Sequence, residues 1–243
     1  MTATELRAAE SRLLASANRL SDADVRAPSR LPGWSRGHVL THLARNADGM
    51  GNLVGWAATG VRTPMYPGPE ARADAIEAGS GRSAEDLVAD VEGAAAALAQ
   101  ALVELPETAL DAVVTFGAAG TPVRGSELVL MRIREVEIHH VDLDVGYEPA
   151  AWSTEFASRS LDQLTPAFRA GGQVPVAVLA ATDTRLRWVV ADQGDELAGS
   201  SASLLAWLVG RIPSQPGTAA AATDLAGLEL SGGGPVPSPP PWV

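Results

Sequence analysis

Apolar residues recur at helical spacing in four stretches of the first 150 residues, with turn-forming residues between them. Leu6, Leu13 and Ala17 share one stripe of a helix predicted over roughly 3 to 19. Pro32 and Gly33 interrupt the pattern, and Ser35 can cap a second helix through Val39, Leu43 and Ala47 toward Trp56. Gly37, Gly49, Gly51 and Gly55 lower its intrinsic helicity, so tertiary packing must hold it. Ser83 followed by Glu85 and Asp86 sets a cap and two acids at the positive end of a third helix, which Pro106 stops just after Leu105. A fourth helix begins near Ser126 and runs through Leu128, Met131, Ile133, Val136, Ile138 and Val141 to about Leu143. Between the second and third helices, residues 62 to 82 carry Pro64, Pro67, Pro69, Gly79 and Gly81. They read as a long connection with one helical turn around 70 to 77, either a pocket wall or lid or an ordered crossover.

Beyond about residue 150 the pattern shortens. A helix over 154 to 168, capped by Ser153 or Thr154, precedes strand candidates at 174 to 179, 186 to 190 and 225 to 230 and a helix at 203 to 209. The tail from 231 to 243, rich in glycine and proline, reads as extended, with Trp242 either an anchor or a loose apolar end. The expected fold class is α+β overall: an N-terminal four-helix bundle over 1–150 and a smaller C-terminal α+β domain over 151–243 that contributes to a substrate pocket.

Composition narrows the chemistry. Of 243 residues, 46% are hydrophobic and 19% charged, which supports a buried core, and no apolar run has transmembrane length. The start of the chain lacks the basic and apolar regions of a secretory signal, so the expected location is the cytoplasm. Twenty-nine acids face eighteen basic residues, all arginine, for a formal charge of −11; no basic stripe forms, so nucleic acid is not an expected partner. With no cysteine and no lysine, the chain has neither a thiol nucleophile nor a Schiff-base amine. Any thiol chemistry must use a thiol from solution. A phosphate-binding loop, a dinucleotide fingerprint and a serine nucleophile elbow are all missing.

The fourth helix carries the most informative cluster. At about 100° per residue, Glu135 and His139 lie one turn apart on one face, and Asp142 continues much the same stripe while His140 points away. Two ligands under-coordinate a metal, and the second helix offers His42, with His38 one turn earlier. Two histidines and a carboxylate would leave one position of a zinc ion open. On residue pattern alone, Glu135 and His139 are equally an ordinary helix-surface pair, and His38 and His140 are ordinary capping or hydrogen-bonding residues. Arg132 and Arg134 read as ion-pair partners or anion receivers. Asn46, four residues beyond His42, could reach the same cavity, and Trp34 and Trp56 read as packing residues. Arg211, after the apolar run 204 to 209, either serves a helix C-terminus or meets a substrate carboxylate.

Taken together, these segments resemble the mycothiol-dependent maleylpyruvate isomerase family. The matching residues are 31 to 35 (Leu-Pro-Gly-Trp-Ser), 41 to 46 (Thr-His-Leu-Ala-Arg-Asn), Asn52-Leu53, Trp56-Ala57, 63 to 66, and 69 to 72 ending in Arg72. Arg134-Glu135-Val136, Ile138-His139, Val141-Asp142-Leu143, Gly210-Arg211 and the proline-rich ending with Trp242 continue the match, so it spans most of the chain. The chain departs from the family's pattern at Gly146 and in the stiff Arg211-Ile212-Pro213 continuation. The resemblance implies a DinB-like four-helix metal domain joined to a small α+β domain. It also implies Zn2+ held by His42, Glu135 and His139, mycothiol bound at that centre with Asn46 nearby, and Arg211 in catalysis or substrate binding. The implied reaction is the cis-trans isomerisation of maleylpyruvate, an unsaturated dicarboxylate, to fumarylpyruvate by a monomer. The alternatives are a mycothiol S-transferase acting on an electrophile and a non-enzymatic metal-binding interaction protein.

Overall fold

Hydroxyl side chains open most of the helices. In a computed structural model, which describes residues 1–117, 120–212 and 227–240, the chain divides into two units, Met1–Gly146 and Tyr147–Val243. In the first, Thr2, Ser21 and Ser35 cap α1 (Ala3–Ala17), α2 (Asp22–Arg26) and α3 (Arg36–Thr59), each accepting the backbone N–H three residues on. Gly60, at φ 73°, supplies the left-handed residue that ends α3. Then come α4 (Pro69–Ser80), with proline in its first turn, and α5 (Ala84–Glu104), capped by Ser83 and ended where Leu105 turns extended ahead of Pro106. A hairpin of β1 (Val113–Phe116) and β2 (Thr121–Arg124) pairs Val113 with Arg124 and Phe116 with Thr121. A 3-10 turn at Gly125–Glu127 leads into α6 (Leu128–Asp142).

The bundle is built around α3, which packs against α5, α4 and α6, while α1 closes on α6 and α5. Leu13, Leu40, Leu43, Leu87, Leu128 and Ile133 are fully buried in its core. Burying such side chains contributes roughly 1.5–3 kcal/mol each. Two helices and a hairpin go beyond the sequence pattern. The segment expected to be a long connection with one turn at 70 to 77 instead holds the 12-residue α4. Gly79 reads as a helix breaker, yet it lies inside α4 because its missing side chain lets the backbone meet α3: a Cβ there would touch the Thr41 methyl at 2.5 Å. Gly37 answers from α3, where a Cβ would run into the Ser80 carbonyl oxygen. Two of the glycines that weaken α3 as a helix, Gly37 and Gly49, thus pack closely, Gly49 against Met65; Gly51 and Gly55 face open space.

In the second unit, Ser153 caps α7 (Thr154–Gly171), and a small sheet follows: β3 (Val178–Ala181), β4 (Arg187–Val189), β5 (Glu196–Gly199) and, after α8 (Ser201–Leu208), β6 (Glu229–Leu230). The strand order is β4-β3-β5-β6, with β3 and β5 parallel and the other pairs antiparallel. This is a mixed α+β unit. The strand expected at 174 to 179 starts four residues later, because Val174 and Val176 are buried in a preceding loop. The strand expected at 225 to 230 is the shorter β6, its first two residues lying outside the described residues. Ser200 caps α8 by accepting from the Ser203 N–H, and the Asp183 carboxylate adds to it, accepting from the Ser201 N–H at 3.1 Å and hydroxyl at 2.8 Å. The tail is extended as far as it is described, and the indole that holds it is Trp207, which donates to the Pro237 carbonyl at 2.8 Å; Trp242 lies outside the described residues. No helix among the described residues is long and apolar enough to cross a membrane.

The α3–α4 contact can be tested with paired substitutions. Gly37→Ala should lower stability by about 1–3 kcal/mol through overpacking. Gly93→Ala, on exposed α5 surface with nothing near the new methyl, should raise it by about 0.5–1 kcal/mol. Denaturant midpoints of the two variants check both signs.

Candidate metal centre

Antiparallel packing of α3 and α6 brings three polar side chains to one level. His42 projects from the second turn of α3, and Glu135 and His139 from successive turns of α6. His42 Nε2 lies 3.2 Å from Glu135 Oε2, and His139 Nε2 lies 3.6 Å from the same oxygen. The two imidazoles meet edge to face, 4.4 Å between centroids and 81° between planes. Ligand atoms of all three residues fall within 4.8 Å of one another.

The surroundings fix the state of each ligand. His42 is only 3% exposed. Burial, reinforced by repulsion from His139, pushes its pKa down to about 4 against the opposing pull of Glu135. The ring is therefore neutral near pH 7, with a lone pair to give. Burial alone would raise the Glu135 carboxyl, but the hydrogen bond from His42 and the nearby charges of His42, His139 and Arg134 hold it well below the usual carboxylate range. His139 Nδ1 lies 2.8 Å from the buried Asp142 carboxylate, which orients the ring and turns Nε2 toward the cluster.

These donors fit a divalent metal. Two ligand atoms each about 2.0–2.2 Å from a tetrahedral ion stand roughly 3.3–3.6 Å apart. Of the separations across Glu135 Oε2, 3.6 Å lies at the upper end of that range and 3.2 Å falls just below it. Two neutral imidazoles and one carboxylate also leave a divalent ion with net positive charge, ready for an anionic fourth ligand.

The other residues singled out by sequence take different places. His38 serves the start of α3: its Nδ1 lies 2.7 Å from the Ser35 hydroxyl and its Nε2 3.2 Å from Glu77 on α4. Trp34 sets its ring edge-on to His42 at 5.8 Å and stacks on His38. His140 points away, with Nε2 2.9 Å from the Ser16 hydroxyl, and burial pushes its pKa down to about 4. Asn46 is buried, and its side-chain oxygen accepts from Arg132 at 2.9 Å. Arg132 is fully buried and also donates to the Leu43 carbonyl and to Glu10. Arg211 belongs to the second unit, where its Nη1 donates to the Val209 carbonyl at 2.6 Å just past the end of α8.

One neighbour was assigned no role from sequence. Arg72, on the inner side of α4, places Nη2 3.2 Å from His42 Nδ1, and its guanidinium lies 5.9 Å over the Tyr66 ring. Reading 62 to 82 as mostly irregular gave Arg72 no helix face, so only its place in the matching motif marked it.

Metal binding should follow this geometry. His42→Ala and His139→Ala should abolish tight zinc binding in calorimetric titration. Asp142→Ala, which removes the carboxylate behind His139, should weaken it about 10–100-fold. Full zinc affinity in His42→Ala would contradict the assignment.

Known proteins can be compared with this geometry. A family domain described as the mycothiol maleylpyruvate isomerase N-terminal domain matches residues 6–144. A search of curated proteins finds no match. Among solved structures, a crystal structure of a mycothiol-dependent maleylpyruvate isomerase is 31% identical, with a TM-score of 0.86 over 99% of this chain and 95% of that one. A crystal structure of a histidine-to-alanine mutant of a mycothiol-dependent maleylpyruvate isomerase is 30% identical, with a TM-score of 0.84 over the same shares. With a domain match over more than half its length and solved relatives aligned along almost all of it, the chain belongs to the mycothiol-dependent maleylpyruvate isomerase family.

Proposed function

We propose that this protein is a zinc- and mycothiol-dependent isomerase that converts maleylpyruvate to fumarylpyruvate. The observation that carries the reading is the convergence of His42, Glu135 and His139, from two helices, within a chain that aligns end to end with structures of that enzyme. Bound at the cluster, zinc would supply the Lewis acidity that keeps a thiol ionised near pH 7, and mycothiol the sulfur whose reversible addition to the cis double bond frees it to rotate.

The chain's own residues prepare that chemistry. His42, Glu135 and His139 would hold the ion, and three protein donors would leave room for the incoming thiol. Burial keeps His42 unprotonated, so protons compete weakly with metal for its lone pair. Asp142 accepts the His139 Nδ1 hydrogen and so turns Nε2 toward Glu135 and His42, where it could serve as a ligand. The lack of any cysteine means that the only sulfur nucleophile in the reaction is the one brought in. Asn46, whose side-chain oxygen is held by Arg132, is assigned to the wall beside bound mycothiol. Arg211 is assigned a substrate carboxylate on the strength of the Gly210-Arg211 match.

The test is product analysis with zinc-loaded protein, mycothiol and maleylpyruvate. Fumarylpyruvate should form only in the complete mixture, with free mycothiol recovered, and omission of zinc or thiol should abolish conversion. A retained thioether adduct would establish an S-transferase instead. Unchanged substrate, in a protein that binds no zinc, would remove the enzymatic reading. Arg211→Ala should lower kcat/KM by about 10-fold or more while leaving zinc affinity intact.

A further inference from the structure

Arg72 is poorly matched as the site stands. The arginines around it are paired with carboxylates: Arg45 with Asp48 and Asp90, Arg82 with Asp90, and the buried Arg132 with Glu10. Arg72 forms no ion pair with a carboxylate among the described residues, although the chain carries 29 acids. Its hydrogen bond goes to the His42 ring nitrogen, at 3.2 Å, and its guanidinium also lies against the Tyr66 ring and hydroxyl. A guanidinium presents five N–H groups in a fork shaped for a carboxylate, and a single imidazole nitrogen uses one of them. Beside it, the buried Tyr66 hydroxyl has no hydrogen-bond acceptor among the described residues, and the neighbouring Arg72 guanidinium partly offsets the upward push of burial on its pKa. A half-buried cation and a buried hydroxyl, both short of acceptors, describe a place for an anion.

The contact between Arg72 and His42 is also incompatible with metal ligation through Nε2. A guanidinium can only donate, so while Nδ1 accepts from Arg72 the ring hydrogen sits on Nε2, facing Glu135 at 3.2 Å. A ring that gives its Nε2 lone pair to a metal carries that hydrogen on Nδ1, where it would meet the guanidinium donor to donor. Ligation through Nε2 would therefore turn Arg72 away from His42 and free its fork.

The geometry points to Arg72 as a residue that binds a substrate carboxylate, released for that role when His42 takes up metal, with the Tyr66 hydroxyl as a second donor. The inference rests on the isomerase reading for the identity of the substrate. Its own content is narrower: the zinc-loaded first unit recognises a carboxylate of a short dicarboxylate through α4. Arg72 would then help set specificity, because a substrate lacking that carboxylate leaves a half-buried guanidinium without its counter-charge.

The experiment uses the full-length protein with maleate as the probe. Zinc affinity and maleate affinity are measured by calorimetry for wild type, Arg72→Gln, Arg72→Lys and Tyr66→Phe, with thermal unfolding as the check on folding. Zinc-loaded wild type should bind maleate. Arg72→Gln should lose roughly 10-fold or more of that affinity while binding zinc as tightly as wild type or severalfold tighter. Arg72→Lys should recover part of the loss, since it keeps the charge but not the fork, and Tyr66→Phe should show a smaller one. In turnover, Arg72→Gln should raise KM for maleylpyruvate more than it lowers kcat. Equal maleate affinity in wild type and Arg72→Gln, or no maleate binding by wild type, would overturn the inference. So would loss of zinc affinity in Arg72→Gln, which would make Arg72 a prop for the metal ligand. Maleate binding that depends on Arg72 in a protein without isomerase activity would uphold the carboxylate site and reject the reaction. Isomerase activity indifferent to Arg72→Gln would do the reverse.

Discussion

The register of α6 against α3 depends on a buried guanidinium. Arg132 reaches from α6 into the bundle and donates to the Leu43 carbonyl, to Asn46 and to Glu10 on α1, so three helices are joined through one side chain. A buried charge without partners would cost several kcal/mol, so the helices are held where these bonds can form. Leu43 adjoins His42, and Arg132 lies one turn before Glu135. Fixing the first pair in space therefore fixes the second. The strain of the arrangement shows in Glu10, whose carboxyl burial pushes upward despite the neighbouring charge, and in Arg132 Nη2, which is left without an acceptor.

On that frame the two imidazoles are supported unequally. His139 has a carboxylate behind it, Asp142, which strengthens the ring as a donor. His42 has a cation behind it, Arg72, which favours the opposite placement of the ring hydrogen. One ligand is arranged for metal in advance, and the other has to exchange its partner. The borrowed-thiol chemistry proposed for the site then has a structural counterpart: a cluster that supplies no nucleophile of its own, beside a cation whose natural partner comes from outside the chain.

What could be read from the sequence was mostly local. The spacing of Glu135, His139 and Asp142 declares a shared face, and Ser35 and Ser83 mark helix starts by hydrogen bonds that span three residues. The pairing of His42 with that face depends on helix packing, which spacing alone leaves open and the family resemblance supplied. Less legible were features decided by contact. Gly79 looks like a breaker until its tight approach to Thr41 is seen. The four-residue β1 and β2 are too short to display alternation. Asn46 reads as a site residue by its distance from His42, and only the fold reveals that Arg132 already holds its oxygen.

The close contact of α3 and α4 also sets a timescale. At Gly37 and Gly79 backbone lies against its neighbour with no side chains between them to compress or slide, so α4 is seated rigidly on the bundle. Motion that carries the Arg72 fork from His42 toward an anion must then come from the arginine's own torsions, not from displacement of the helix. Side-chain rotamer changes are local, taking roughly picoseconds to nanoseconds for exposed groups, against microseconds to milliseconds for collective movements. A change of partner by Arg72 thus requires no opening of the bundle.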